Sequence, residues 1–233
     1  MTGRRTAASA QRVTVRARVV GGIYNDDWLE RYDSVANEDA AILRAELDAV
    51  EAWFKRRVGG IGERVAQHLD LGTCTGRYLR WGISRGFTSA HGIDKSRAAV
   101  ARCRAMLGHG PIQVHHADFL DTAVFSSLLR RQGPFDLVTM MMGTINHLAA
   151  EEQHQVVHAL VPALSSQGHV VISSWRPGAC ALSLYSRADQ RSLGLSGFAV
   201  RLDADRVGEF GIRLAERMFT PWHEIRVYEP CGA

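Results

Sequence analysis

Between residues 63 and 175 short apolar runs alternate with amphipathic ones, and this alternation restricts the fold more than any other feature. ERVAQHLDL reads as a strand and TGRYLRWGISRG as a helix that stops at Gly86. TSAHGID and PIQVHHAD are further strands, separated by the helix KSRAAVARCRAMLGHG. TAVFSSLLRRQG is a helical connection, FDLVTMMM a fourth strand, AEEQHQVVHALVPALSS a helix and GHVVISSW a fifth strand. Strands separated by helices imply a parallel sheet covered on both faces. The expected fold is α/β, a doubly wound, mostly parallel sheet. Such sheets take ligands outside the carboxyl ends of their strands, near the point where strand order reverses.

The flanks extend this core. Leu43, Leu47, Val50, Phe54 and Val58 recur at helical spacing and predict an N-terminal helical cap over 21–60, ended by Gly59-Gly60. Beyond Trp175, RPGACALSLYSRADQRSLGLSG is irregular, and the remainder to Ala233 alternates roughly, as a short C-terminal β element would. That element is either a simple hairpin or part of an incomplete sheet whose edge serves a second copy, making a homodimer. Within it TPWHE reads either as a pocket-lining Trp222 or as a helix start with Thr220 as cap and Pro221 first inside. The division is a basic leader at 1–20, the cap at 21–60, and a ligand-binding domain at 61–233 with substrate-side insertions after 175.

Charge and cysteine usage exclude several functions. The chain carries +4, but residues 1–20 hold five arginines and no acid, so the rest sums to −1. A nucleic-acid binder shows its basic excess on the folded domain; here it sits in the leader. That leader lacks a continuous apolar core, so it reads as a solvated, disordered segment and not a secretory signal. No apolar run approaches the ~20 residues of a membrane span. Cys74, Cys103, Cys180 and Cys231 show no CxxC spacing, which fits reduced thiols in a cytoplasmic protein without a metal site.

The chemistry lies at the strand ends. DLGTCTG places Asp70 two residues before Gly72, with Gly76 closing the turn. Glycines let a ligand approach the backbone, but the spacing is not GxGxxG, and a carboxylate beside the turn repels a pyrophosphate while attracting an ammonium group. This argues against a nicotinamide-dependent oxidoreductase. The second strand ends in Asp94, suited to both hydroxyls of a ribose. The third ends in Asp118, suited to the amino group of a purine. Each acid alone also fits a helix cap or a solvated loop; together at three successive strand ends they describe a ligand with an amine, a ribose and an adenine.

These motifs resemble those of the class I S-adenosylmethionine (SAM)-dependent methyltransferases, over about Tyr24 to Trp175. The glycine motif appears as DLGTCTG, the ribose acid as Asp94 in GIDKS, and the adenine-side acid as Asp118 in HADFL. The resemblance implies a Rossmann-like fold, SAM as cofactor, and a cofactor site of Asp70, Gly72, Thr73, Cys74, Gly76, Asp94, Lys95, Asp118 and Phe119. By the same resemblance Met141, Met142 and Gly143 in FDLVTMMMGTINHL lie beside the methionyl part, and Tyr24 and Tyr32 of IYNDDWLERYD cover the cofactor. Cys74 departs from the pattern, standing where the middle glycine is usual; its side chain would crowd the ligand unless a near-helical φ tolerates it. Packing explains this thiol better than reactivity, since no base is adjacent.

The acceptor side is thinner. His147 in TINHL is the catalytic candidate, able as a neutral imidazole to accept a proton or orient an amine, although a lone histidine after a strand is also a common structural residue. His147, Trp175, Arg176 and Tyr185 are the substrate-binding candidates, with Arg187 and Trp222 as further lining residues; Arg176 would pair with a carboxylate or phosphate. His115 and His116 read as sheet-packing residues on opposite faces. The expected function is methyl transfer to a nitrogen or oxygen atom of a small-molecule metabolite or natural-product intermediate. The alternatives are a protein of this fold that binds without catalysis, and a peptide or protein methyltransferase.

Overall fold

The computed structural model describes residues 26–30, 40–59, 66–108, 110–176 and 204–232. A helical segment at 26–30 precedes α1 (Ala40–Arg57); then follow β1 (Gln67–Leu71), α2 (Arg77–Ser84), β2 (Ser89–Asp94), α3 (Arg97–Leu107), β3 (Ile112–His116), α4 (Thr122–Gln132) and β4 (Phe135–Met140). A 3-10 turn at Thr144–His147 leads to α5 (Ala150–Leu160) and β5 (Leu164–Trp175), and α6 (Ala204–Glu209), β6 (Ile212–Phe219) and β7 (His223–Pro230) complete the chain. The strands form one seven-stranded sheet in the order β3-β2-β1-β4-β5-β7-β6. β1 to β5 run parallel, whereas β7 is antiparallel to both β5 and β6. Strand order therefore reverses between β1 and β4, and the candidate motifs follow those strands. This is the doubly wound sheet expected from the alternation.

Period-two alternation builds two apolar layers. In β4, Leu137 packs with Val50, Trp53, Phe54, Tyr78 and Trp81 of α1 and α2, while Val138 packs on the opposite face with Phe125, Leu128, Val156 and Leu160 of α4 and α5. β5 and β7 divide likewise, Val171 and Val227 facing the α1 side, Val170 and Tyr228 the other. α1 presents the expected stripe, with Val50 and Phe54 buried and Leu47 and Val58 partly so. It is fastened to α2 by polar bonds as well: Trp81 Nε1 donates to Glu51 at 2.7 Å and Tyr78 Oη to Glu46 at 3.0 Å. α3 and α4 begin at side-chain caps, Ser96 accepting from Ala99 N and Asp121 from Val124 N.

Three expectations are corrected. The helix after the fourth strand stops at Leu160, and β5 begins at Leu164, so Ser165 and Ser166 lie in a strand. β4 ends at Met140, leaving Met141 and Met142 in the following turn. TPWHE starts no helix: Thr220 Oγ1 accepts from the backbone N–H groups of Trp222 and His223, closing the β6–β7 hairpin. The C-terminal β element is thus a hairpin that joins the sheet through β7. No helix among the described residues is long and apolar enough to cross a membrane.

Candidate active site

The tips of β1 and β2 are tied together by the glycine turn. Gly72 N and Thr73 N donate to Ile93 O at 2.8 and 3.2 Å, and Cys74 N donates to Asp94 Oδ2 at 2.9 Å. Asp94 Oδ1 accepts from Ser96 N at 2.8 Å, so this carboxylate orders two turns at once. Burial raises its pKa, and the Ser96 and Cys74 N–H groups oppose that rise. Gly72, Cys74 and Gly76 all have left-handed backbones, with φ of 72°, 47° and 77°. The near-helical φ expected to accommodate Cys74 is therefore left-handed and not right-handed, a conformation that costs an L-residue ~1–2 kcal/mol. Burial pushes the Cys74 thiol above its ordinary range, with the Asp94 charge adding to the effect, so thiolate chemistry is disfavoured.

Asp70 is buried, and Thr139 Oγ1 of β4 donates to its Oδ1 at 2.7 Å. Thr139 in turn contacts His68 Nε2 at 2.8 Å, so the two residues flanking Leu69 are joined across the neighbouring strand. Desolvation raises Asp70 to about 7 against the lowering by Thr139, and Asp94 and Glu46 add repulsion. Thr73 faces Asp70, but its hydroxyl closes no hydrogen bond of standard geometry. Beyond β3, Asp118 Oδ1 accepts from Leu120 N at 3.0 Å, while Lys95 Nζ lies 3.8 Å from its Oδ2. Phe119 is buried. His115 stacks on His91 at 5.9 Å, and the exposed His116 bonds Lys95 O at 3.1 Å, both as sheet residues.

On the other side of the reversal, Met142 and Gly143 form a left-handed turn with φ of 53° and 71°. Gly143 is required there twice: its φ favours glycine, and an added Cβ would lie 2.2 Å from Trp175 Nε1. Trp175 is buried, its N–H donating to Asn146 Oδ1 at 3.0 Å and its ring 4.3 Å from His223. His147 ends the 3-10 turn, half-buried. Arg176 is exposed, and its Nη1 donates to Thr220 O at 3.1 Å. Tyr24, Tyr32, Tyr185 and Arg187 lie outside the described residues.

One buried group had no place in the sequence reading. Glu46 of α1 is fully buried and accepts from Tyr78 Oη, from Met142 N at 3.0 Å and from Ser173 Oγ of β5. His223 Nε2 lies 3.8 Å from it, and neither ring nitrogen of that fully buried histidine makes a hydrogen bond among the described residues. Burial lowers the His223 pKa against the pull of Glu46. A signal existed: Ile42, Glu46 and Val50 follow one another at four-residue spacing, which sets an acid within an apolar stripe.

Residues 69–168 match the family model for a methyltransferase domain. The fold is that of a TehB-like SAM-dependent methyltransferase from Corynebacterium glutamicum, at 16% identity and a TM-score of 0.57 over 88% of this chain and 100% of that one. It is also that of a magnesium protoporphyrin IX methyltransferase from Synechocystis solved with bound SAM, at 14% identity and a TM-score of 0.61, over 91% of this chain and 96% of that one. Residues 69–168 are a methyltransferase domain, and the sheet has the Rossmann-like fold of these structures. A protein described as a pericyclic reaction enzyme shares the fold as well, at 13% identity and a TM-score of 0.56, over 76% of this chain and 46% of that one. No curated protein matches by sequence.

The residues of this methyltransferase domain fit the cofactor its family implies. Asp94 spends one lone pair of each oxygen on a backbone N–H and retains others for ribose hydroxyls. The Thr73 hydroxyl, beside Asp70, is buried and closes no hydrogen bond of standard geometry among the described residues. Turns with left-handed residues cross the tips of both β1 and β4, where the backbone can approach a ligand closely. Among the described residues no group of three or more His, Cys, Asp or Glu side chains is disposed to hold a metal ion.

Proposed function

We propose that this protein binds SAM and transfers its methyl group to a nitrogen or oxygen atom of a small molecule. The observation that carries the reading is the register of Asp70, Asp94 and Asp118 at the ends of three successive parallel strands, beside the reversal of strand order. In this reading Asp94 holds the ribose and Asp118 the adenine side, with Lys95 and Phe119 flanking them. Asp70 pairs with the ammonium, and Gly72, Thr73, Cys74 and Gly76 supply the turn against which the cofactor lies. Met141, Met142 and Gly143 border the methionyl part. SAM supplies an electrophilic methyl group on a sulfonium, so the protein's task is to align an acceptor atom and keep water out. His147 takes or orients the acceptor's proton at its ring, and Trp175 forms an apolar wall beside it.

Asp94→Ala tests the cradle directly. It removes the ribose partner and the acceptor for Cys74 N, and is expected to weaken SAM binding by ~1–3 kcal/mol, measured by isothermal titration calorimetry. Unchanged affinity in a folded variant overturns the assignment. Because a pericyclic enzyme shares the fold, transfer is tested apart from binding, by incubating isotopically labelled SAM with a panel of amine and hydroxyl acceptors and reading methylated products by mass spectrometry. Product with wild-type protein that is lost in His147→Gln, with SAM affinity intact, supports the role of His147.

A further inference from the structure

We infer that Glu46 is a positioning residue for the aminoacyl end of the cofactor: from the N-terminal helix, its carboxylate holds the Met142–Gly143 turn in its left-handed form. The inference rests on the SAM reading above.

Met142 carries a side chain at φ 53°, a conformation L-residues avoid unless their surroundings hold it. Its N–H emerges past the end of β4 and requires an acceptor. That acceptor is Glu46 Oε1, 96 residues earlier in the chain. The carboxylate itself is fixed from two other elements, by Tyr78 Oη on α2 and Ser173 Oγ on β5. The strained turn therefore receives its acceptor only when α1 is docked. Docking is secured independently by Glu51 with Trp81 on α2 and by Arg56 and Arg57 with Glu216 on β6.

The network is confined to one end of the cradle. Glu46 lies close enough to Asp70, the partner assigned to the ammonium, to repel its charge. Among the described residues, none of its bonded partners belongs to the β2 or β3 tips that carry Asp94 and Asp118. Losing Glu46 should therefore disturb the aminoacyl end and spare the nucleoside end. A carboxylate near Asp70 would repel that charge and attract the ammonium alike, so charge and positioning are separated by Glu46→Gln. That variant keeps an acceptor for Met142 N without the charge and is expected to hold SAM affinity within about twofold. If Glu46 positions the turn, removing the acceptor weakens binding while keeping it does not.

Three ligands separate the possibilities by titration calorimetry: SAM, S-adenosylhomocysteine, and 5′-methylthioadenosine, which keeps the nucleoside and the thioether but lacks the amino acid. Glu46→Met fills similar volume without an acceptor. It is expected to weaken SAM and S-adenosylhomocysteine by roughly tenfold or more, and methylthioadenosine by less than about twofold. Unchanged affinities, tighter binding of the two amino-acid ligands, or an equal loss for all three would each overturn the inference, the last because it marks damage to the whole fold. Should Glu46→Met not fold, Ser173→Ala removes one of the donors that fix the carboxylate. It must then show the same pattern at smaller size, and its absence overturns the inference. Wild-type protein that binds none of the three ligands overturns the SAM reading itself, an outcome distinct from any failure of the variants.

Discussion

The two halves of the cradle are held by bonds of different reach. In the turns that follow β1, β2 and β3 the backbone is ordered by nearby carboxylates: Ser96 N and Leu120 N donate to ones two residues before them, and Cys74 N to one twenty residues ahead. At the tips of β4 and β5 the bonds span the chain, with Trp175 bonded to Asn146 at a separation of 29, Met142 to Glu46 at 96 and Ser173 to Glu46 at 127. Local bonds close small loops at little entropic cost, whereas distant ones form only once the sheet is assembled and α1 has docked. In the proposed reading the nucleoside side is thus a property of the turns themselves, and the methyl-transfer side a property of the completed fold and the more easily broken of the two.

The strongest way to break that side alone is at Gly143. Alanine there must adopt φ 71° and place a Cβ against Trp175. The combined backbone and overpacking cost is expected to be about 2–4 kcal/mol, read from urea unfolding. Gly59 is the internal control: its φ is 72°, but nothing lies within 4 Å of an added Cβ. Gly59→Ala should lose only the backbone part, about 1–2 kcal/mol. Equal losses at the two sites would show that Trp175 yields freely and that the long-range side is slack.

Thr139 bridges the halves, since its hydroxyl joins β4 to Asp70 on β1. Asp70, raised to about 7 by burial, must ionise to hold an ammonium. SAM affinity is therefore expected to rise between about pH 5.5 and pH 7.5, a window below the loss of an α-amino proton. Thr139→Val removes the bond that favours the ionised form, so the midpoint moves to higher pH and affinity at pH 7 falls roughly threefold to tenfold. Stability in the absence of ligand runs the other way. A carboxyl whose folded pKa lies above its unfolded value contributes stability at acid pH that is lost as pH rises through about 7. A wild-type affinity flat across this window would dissociate Asp70 from the ammonium.

The same division governs what could be read from the sequence. The strand-end positions of Asp94 and Asp118 are legible because each carboxylate accepts a backbone N–H from two residues on, in the turn that ends its strand segment. Thr220 stays ambiguous in the sequence because its chemistry is shared: an oxygen accepting two backbone N–H groups caps a helix or closes a hairpin equally well, and only the pairing of β6 with β7 decides. The start of β5 was hidden by its polarity, since Ser166 and Gln167 are exposed and the pairing with β4 shifts register between Phe135 and Leu137. Glu46 has no place in the sequence reading because its partners lie 32 to 127 residues away. Its place in the stripe between Ile42 and Val50 was the one clue, and it identifies burial but not partners.

The smallest effect concerns the local side, where a single residue departs from the glycine pattern. Cys74 sits at φ 47°, so Cys74→Gly relieves left-handed strain of ~1–2 kcal/mol while adding freedom to the unfolded chain that costs ~0.5–1 kcal/mol. The net gain should be about 0–1.5 kcal/mol by thermal unfolding. Cofactor affinity should hold or improve, because the bond that orders the turn uses the Cys74 backbone N–H and survives the substitution. A clear loss of SAM affinity in Cys74→Gly would mean that the thiol side chain itself touches the ligand. The local half of the cradle would then depend on more than its backbone, and the contrast between turn-built and fold-built sides would narrow.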